Sequence, residues 1–455
     1  MSEFIAVIIL VNLLLYFKTL RFKFVSDDFA VNKNPPAFKN RWHKRWLQFI
    51  GAAKLHAYSF HLVRHENKWK LVGVKTEEQE HLLALLLHIV ICLMIYLAFG
   101  ASWGSFAAAL LYSVNPINNQ GTIWPGGRGY ALPVISILTA IYLPIAAPLA
   151  LAFCSWFTVG FLAPLALIGS EKWWLLAWMP LVWFLHAKKF KTAVVSKASA
   201  ESFTEDRVFH PRKLILGVKT FGFYLTLCLV PFRITFYHNF LQSCAGSLAY
   251  KAYTLCRYFW IGVIGLVGVA LYAVHDWNTL SWALVAFVIT IGPFCNIVRA
   301  NQEIAERFAA LPNVFLMFAL AHVLAPYPVV LAAVLAFYAT RTYYTLIMYK
   351  DEYFITELAV IEDPHAWWAW HCRAMKRWDT QSYKEALILW VMARLISPRE
   401  FKILMNIAAC LRLLNNNKEA DAFLKMAEDN IVPGQEQEAA KFISAHREGK
   451  LPILL

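Results

Sequence analysis

The run LLALLLHIVICLMIYLAF, residues 82–99, is eighteen residues long and carries no formal charge. As a helix it rises about 27 Å, close to the ~30 Å hydrocarbon core of a bilayer, so it reads as a membrane-crossing segment. Composition extends that reading to the whole chain. Hydrophobic residues make up 59% and charged residues 16%, with a mean hydropathy of +0.48, whereas soluble domains run near 45–50% and about 25%. The sequence predicts a polytopic, all-α membrane protein.

Working outward, further apolar runs fall near residues 3–18, 102–115, 129–144, 146–167, 172–187, 214–231, 257–274, 280–297, 310–326 and 328–346. With 82–99 they make about eleven transmembrane helices. The segment 146–167 is interrupted by Gly160 and Pro164. Residues 1–350 form the expected transmembrane domain, with 18–81 as a long first outer loop, and 351–455 a separate helical region. An odd number of crossings puts the termini on opposite sides. The loop 188–213 carries seven Lys and Arg against three acids, so the positive-inside bias makes it cytoplasmic. The N-terminus is then cytoplasmic, and the 18–81 loop and C-terminal region are external. The thirteen Lys and Arg of 18–81 oppose this, but that loop exceeds the ~60-residue length over which the bias operates.

The net charge of +14 comes without a basic nucleic-acid motif, while 18 Trp and 19 Tyr suit interfacial belts. An anionic partner at the membrane surface fits better. The eight cysteines contain no C-x-x-C pair; Cys244 and Cys256 share one predicted outer loop, as a disulfide or as two free thiols. No small-residue cleavage site follows the first run, which reads as a retained anchor. The stretch RWHKRWLQFIGAAKLHAYSFHLVR (41–64) interleaves aromatic and basic residues, as interfacial helices do. His61 and His65 there have helical i, i+4 spacing, either a metal pair lacking a third ligand or a polar helix face.

Several stretches carry ionisable groups near the outer surface. FVSDDFAVNKNP (24–35) sets Asp27 and Asp28 just beyond the first span. The bland reading is a solvated turn or N-cap; the alternative is a carboxylate at a site. His81 and His88 lie two helical turns apart, and His81 is at the outer end of its span. NPINNQGTIWPGGRG (115–129) is expected to form a short outer cap bearing Arg128, and PFRITFYHN (231–239) supplies Arg233. NQEIAERFAALP (301–312) holds Glu303 and Arg307 at helical pair spacing, with Glu306 beside them. A surface pair contributes only about 0.3–0.5 kcal/mol, so stability explains little of this cluster. All of these groups map to one side.

In order and approximate spacing, FVSDDFAVNKNP, EHLLALLLH (80–88), ALLYSVNPINNQGTIWPGGR (109–128), PFRIT (231–235) and QEIAERFAALP (302–312) resemble the transmembrane-and-TPR-containing glycosyltransferases of the GT-C superfamily. The resemblance implies a polyprenyl-phosphate-sugar-dependent enzyme, with Asp27 and Asp28 as the catalytic acidic pair and Gln302, Glu303, Glu306 and Arg307 as its later motif. The chain departs from the family pattern where relatives show His-Pro-x-His-x-Glu. Here stand Asn115, Pro116, Asn118 and Gln120, and a Lys-Glu pair usual in the fifth span is replaced near Trp156 and Phe157. Amides cannot act as acid or base near neutral pH, so either the reaction never needed those groups or this is a degenerate member.

In the C-terminal region KEA recurs at 384–386 and 418–420, and Pro398 at Pro433, the period of TPR helix pairs. About two repeats fit, with 436–447 as a capping helix and a concave face suited to an acceptor polypeptide or a partner. The expected reaction is inverting transfer from a polyprenyl-phosphate sugar to an acceptor hydroxyl. Asp27 or Asp28 would be the base, and Arg307, Arg128 or Arg233, assisted by His81, would hold the phosphate. No metal is required, although a divalent ion bridging an Asp to phosphate is compatible with it. The alternative is a catalytically silent scaffold subunit that binds a protein assembly; secondary transport is weaker, since no inverted hydropathy repeat is present. The setting is a bacterial inner membrane with the C-terminal region periplasmic. The sugar, the acceptor and the choice between undecaprenyl and dolichyl carriers are not legible in the sequence.

Overall fold

The computed structural model describes residues 1–25, 60–65, 68–73, 77–156, 163–180, 211–236, 238, 255–296, 304–431 and 436–448. Asp27, Asp28, Cys244, Gln302 and Glu303 lie outside these residues, as does most of the stretch 41–64. Apolar helices form at ten of the predicted runs: α1 (Ser2–Tyr16), α2 (Glu77–Ala98), α3 (Trp103–Val114), α4 (Arg128–Tyr142), α5 (Ala147–Trp156), α6 (Pro211–Leu229), α7 (Arg257–His275), α8 (Thr279–Ile291), α9 (Pro312–Leu324) and α10 (Pro328–Thr345); in the run 172–187 the described residues give a 3-10 helix at Trp173–Trp178. Local chemistry fixes their starts. Ser102 and Ser105 form a capping box at α3, and Asn278 and Ser281 form another at α8.

These helices build a bundle with two distinct ends. At the far end, Trp103 Nε1 donates to the Ala325 carbonyl (3.2 Å), Trp277 Nε1 to Gly169 (3.1 Å) and Trp282 Nε1 to Ala166 (3.1 Å). Phe99 and Phe4 join the same ring of aromatics. At the opposite end, Tyr16, Phe22, Val25, Leu85, Ile123, Trp124, Phe236, Met348 and Tyr349 pack as one cluster. The C-terminal ends of α1, α3, α6 and α10 and the N-terminal ends of α2, α4 and α9 therefore meet there. α6 and α7 approach backbone to backbone, since a Cβ on Gly222 would lie 2.0 Å from the Tyr258 carbonyl and one on Gly262 would lie 2.1 Å from that of Val218.

Among the described residues four helical segments can cross a membrane by length and composition: Ser2–Arg21, Glu77–Ala98, Arg257–His275 and Pro328–Tyr349. Five shorter apolar helices accompany them. α7 turns Trp260, Ile264, Val267, Leu271 and Val274 outward as a continuous apolar stripe, an arrangement compatible with a membrane protein.

Three expectations need correction. Within its described residues the segment 146–167 comprises α5 and a 3-10 turn at Ala163–Leu167, and Ala166 lies at the far end, where Lys172 Nζ also reaches the carbonyl of Ile141. The stretch therefore begins and ends at the same end of the bundle, and eleven crossings are not established. Residues 60–65, expected in an interfacial helix, form a strand. Phe60–His65 pairs antiparallel with Lys68–Gly73 in the register Phe60↔Gly73 to His65↔Lys68, favoured by the strand propensity of Phe60, Val63, Trp69 and Val72. Four strand residues span about 13 Å, so His61 and His65 do not have the spacing of one helical turn. Lastly, the polar amides of 115–123, read as part of a short outer cap, are turned inward: Asn115, Asn118, Asn119 and Gln120 are fully buried.

The C-terminal region is helical throughout its described length: α11 (Glu352–Glu362), α12 (Trp367–Asp379), α13 (Tyr383–Ile396), α14 (Phe401–Leu413), α15 (Asn417–Glu428) and α16 (Glu436–Arg447). α12 with α13 and α14 with α15 are helix pairs whose starts recur after 34 residues. The inner contacts recur with them. Ala374 and Ala408, Ala386 and Ala420, Trp390 and Leu424, and Ala393 and Ala427 are all buried. So do the turns, where Gln381 and Asn415 both take left-handed φ of 61°. Each turn is closed by the next residue's N–H, Ser382 to Arg377 O (2.9 Å) and Asn416 to Leu411 O (2.8 Å). α11 joins this region to the bundle. Ile355 is buried in the same cluster as Trp124 and Tyr349, and Arg341 on α10 lies 3.6 Å from Glu362.

Candidate functional site

The buried amides of 115–123 hold the end of the bundle together. α3 is only twelve residues long, so the chain leaves it at a depth where unpaired backbone is costly. Side chains make up the missing bonds. Asn115 Nδ2 donates to the Cys228 carbonyl (2.8 Å) and Asn118 Nδ2 to that of Tyr112 (2.7 Å). Asn313 Nδ2 donates to Asn118 Oδ1 (3.1 Å), and Asn119 Nδ2 to Thr345 Oγ1 (3.3 Å). Gln120 Nε2 donates to Phe236 O (3.3 Å). His88 belongs to this hub: its Nδ1 is 2.8 Å from Thr122 Oγ1 and its Nε2 3.2 Å from Ser113 O. It is a packed interior histidine, part of the frame beneath the site.

Against this frame lies the segment carrying Glu306 and Arg307. The Arg307 N–H donates to Gln120 Oε1 (3.0 Å), so the same amide that binds Phe236 also fixes the arginine backbone. Gly121 permits the contact, since a Cβ there would come 2.8 Å from Ala310 Cβ. The Arg307 side chain is half-buried, with Nε donating to the Tyr130 hydroxyl (3.2 Å). Its guanidinium lies 5.9, 5.7 and 5.5 Å from the rings of Trp124, Tyr130 and Phe308. Such a setting fixes a cation by aromatic faces.

Glu306 points the other way. It is fully buried, its Oε1 accepts from the Thr235 N–H (2.6 Å), and His238 Nε2 lies 3.0 Å from the same oxygen. Burial pushes its carboxyl above the usual carboxylate range, with His238 and the Thr235 N–H pulling against that. Glu306 thus ties 231–238 to the 304–310 segment. Arg233, two residues before Thr235, is exposed. Arg341 holds the same strip, its Nε donating to Pro231 O (3.1 Å) and its Nη2 to Phe232 O.

His81 is buried at the N-terminal end of α2. Its Nε2 is 3.5 Å from Lys23 O, and its ring meets Phe22 edge-on at 6.1 Å. Beside it the Phe24 N–H donates to Glu77 Oε1 (3.1 Å), and the Lys23 N–H to Lys350 O (2.9 Å). The chain leading into the acidic pair is therefore anchored as far as Val25, which is itself buried. Arg128 opens α4 at the same end. The structure thus brings His81, the start of α4, Arg233, Glu306 and Arg307 to one end of the bundle. Among the described residues no three His, Cys, Asp or Glu side chains group as metal ligands; Asp27 and Asp28 lie outside them.

No family model, curated protein or solved structure matches this chain. The resemblance drawn from 24–35, 80–88, 109–128, 231–235 and 302–312 therefore stands on the sequence motifs. Three contributors escaped the sequence reading: Tyr130, His238 and Arg341. Tyr130 and Arg341 read as parts of spans, and His238 lay in a quoted stretch whose only evident charge was Arg233.

Proposed function

We propose that the chain is a membrane glycosyltransferase that moves a sugar from a polyprenyl-phosphate donor to an acceptor hydroxyl at the end of the bundle where Arg307 lies. The observation that carries this reading is the setting of Arg307. A guanidinium fixed at its backbone by Gln120 and at Nε by Tyr130, at the rim of apolar helices, suits a phosphate whose lipid tail lies between those helices. Arg233 and Arg128 are further phosphate contacts in this proposal, and His81 shapes the entry of the acidic loop.

In the proposed reaction the acceptor oxygen forms a bond to the anomeric carbon as the bond to the phosphate oxygen breaks. The lipid phosphate leaves with the electron pair, and the acceptor proton passes to Asp27 or Asp28. Arg307 stabilises charge developing on the departing phosphate. The site end is then external or periplasmic, as the basic loop 188–213 implies through its place before α6, which starts at the far end. The 34-residue helix pairs are TPR repeats in this reading, and they present a protein acceptor. The test is transfer of sugar from a polyprenyl-phosphate donor to peptide by the protein in nanodiscs. Replacing both Asp27→Asn and Asp28→Asn should reduce the rate by at least about 100-fold; transfer that survives in the double variant removes the proposed base.

A second reading is favoured by the amides. Asn115, Asn118 and Gln120 spend their side chains on frame contacts, so this loop contributes no acid or base. A scaffold that retains the lipid pocket and holds a protein assembly through its helix pairs would need none. A partner that co-purifies with the wild-type chain while no sugar transfer is detected supports this reading over the first.

A further inference from the structure

The C-terminal helix pairs carry an outward face that changes character along the array. On α13, Ile388 and Leu395 are 63% and 65% exposed, and Val391 and Met392 lie between them, also exposed. Their spacing of three, four and seven residues makes one continuous stripe. Thirty-four residues on, the equivalent positions of α15 are Ala422, Lys425, Met426 and Asp429. The same face is wholly apolar in the first pair, whereas in the second two of its four positions, Lys425 and the C-cap Asp429, are charged. An internal packing requirement of the repeat would treat both alike, so the cause is something outside the repeat and nearer the bundle.

The direction of that face is set by α11. Its Ile355 is buried at the site end of the bundle, Leu358 packs on the same cluster, and Glu362 meets Arg341. Leu358 and Met392 are equivalent positions, thirty-four residues apart, so the stripe of α13 includes the position that α11 turns to the bundle. Ile361, the equivalent of Leu395, is 69% exposed. The exposed apolar surface runs in chain order from Tyr343, Tyr344 and Ile347 at the end of α10 through Tyr353 and Ile361 to α13. Exposed Lys384 and Glu385 lie at the start of the stripe, Glu385 paired with Arg377, and exposed Arg399 follows the end of α13, so charged groups bound the apolar stripe at both ends, as at a headgroup boundary.

We propose that the outward face of α13 rests on the lipid surface beside the bundle, so that the first helix pair is a second membrane contact and the second pair stands clear of it. The succession of exposed apolar residues from the end of α10 to α13, and the entry of charge at two of the four equivalent positions one repeat on, favour lipid over a protein partner. The inference needs only that the bundle sits in a bilayer and is independent of the transferase reading.

The test uses the full chain in nanodiscs, with other accessible thiols replaced by serine and a fluorophore attached at Leu395→Cys or Asp429→Cys. Lipids bearing a nitroxide near the headgroup should quench the label at 395 about three-fold or more over that at 429, as expected for a side chain within roughly 5–10 Å of the headgroup boundary. Ile388→Cys, at the other end of the stripe, replaces Leu395→Cys if that variant does not fold. Equal quenching at both sites overturns the proposal. So does a label at 395 that is shielded yet unaffected by nitroxide lipid, which identifies a protein partner, or a second copy if the shielding fades on dilution.

Discussion

Residues 115–123 and residues 304–310 press against each other at one end of the bundle, and both are rich in polar groups, yet they use them differently. In the first, Asn115, Asn118, Asn119 and Gln120 are buried and bonded to backbone or to neighbouring side chains. In the second, Glu306 is buried in the same manner, while Arg307, its neighbour, keeps its head among aromatic rings at the rim. Polarity alone therefore does not mark a site. A group whose bonds replace those a broken helix has lost is part of the frame; a charge set among aromatic rings at the rim, as Arg307 is, belongs to the candidate site.

That contrast can be broken most severely from the frame side. Asn118→Leu leaves the Asn313 amide without the partner it has now and the Tyr112 carbonyl with the Asn115 N–H alone. An unpaired buried group costs about 1–3 kcal/mol, so unfolding of the variant in nanodiscs should be easier by roughly 1–3 kcal/mol. Arg307→Gln should change stability by less than about 1 kcal/mol in the same measurement. A reversal of those two magnitudes would dissolve the distinction between frame and rim.

Glu306 sharpens the comparison with a smaller effect. Its folded carboxyl binds a proton more tightly than an ordinary glutamate because burial disfavours the charge. The folded state then holds more protons than the unfolded state above the usual carboxylate range, so this contribution is full below that range and stability falls as pH rises through the raised value. Glu306→Gln, which cannot ionise, should flatten that slope in unfolding measured against pH. A slope unchanged by the substitution would show that the carboxyl is already ionised and fully compensated.

The helices were legible because apolar length is a direct signal. α2, α7 and α10 lie close to the runs read at 82–99, 257–274 and 328–346, and the 34-residue recurrence of KEA announced the paired helices at 367–428. Hydropathy could not show that Ala166 lies at the far end of the bundle, because a returning segment is as apolar as a crossing one. Nor could it show that the loop after α3 is interior. Amides bonded to carbonyls have the same letters as amides facing water, and only the short length of α3 hinted that backbone would be left to satisfy. The gathering of Arg233, Glu306 and Arg307 was foreseeable from alternating helix direction, whereas the opposed orientation of adjacent Glu306 and Arg307 depends on partners at 120, 130, 235 and 238, far apart in sequence.

The central claim is that Arg307 is held at the rim to meet a lipid-borne phosphate. Native mass spectrometry of the protein released from nanodiscs, titrated with polyprenyl phosphate, measures this directly for wild type and Arg307→Gln. Loss of one charge-assisted contact should weaken binding about ten-fold or more, with the folded fraction unchanged. Equal affinity in the two proteins would contradict the account.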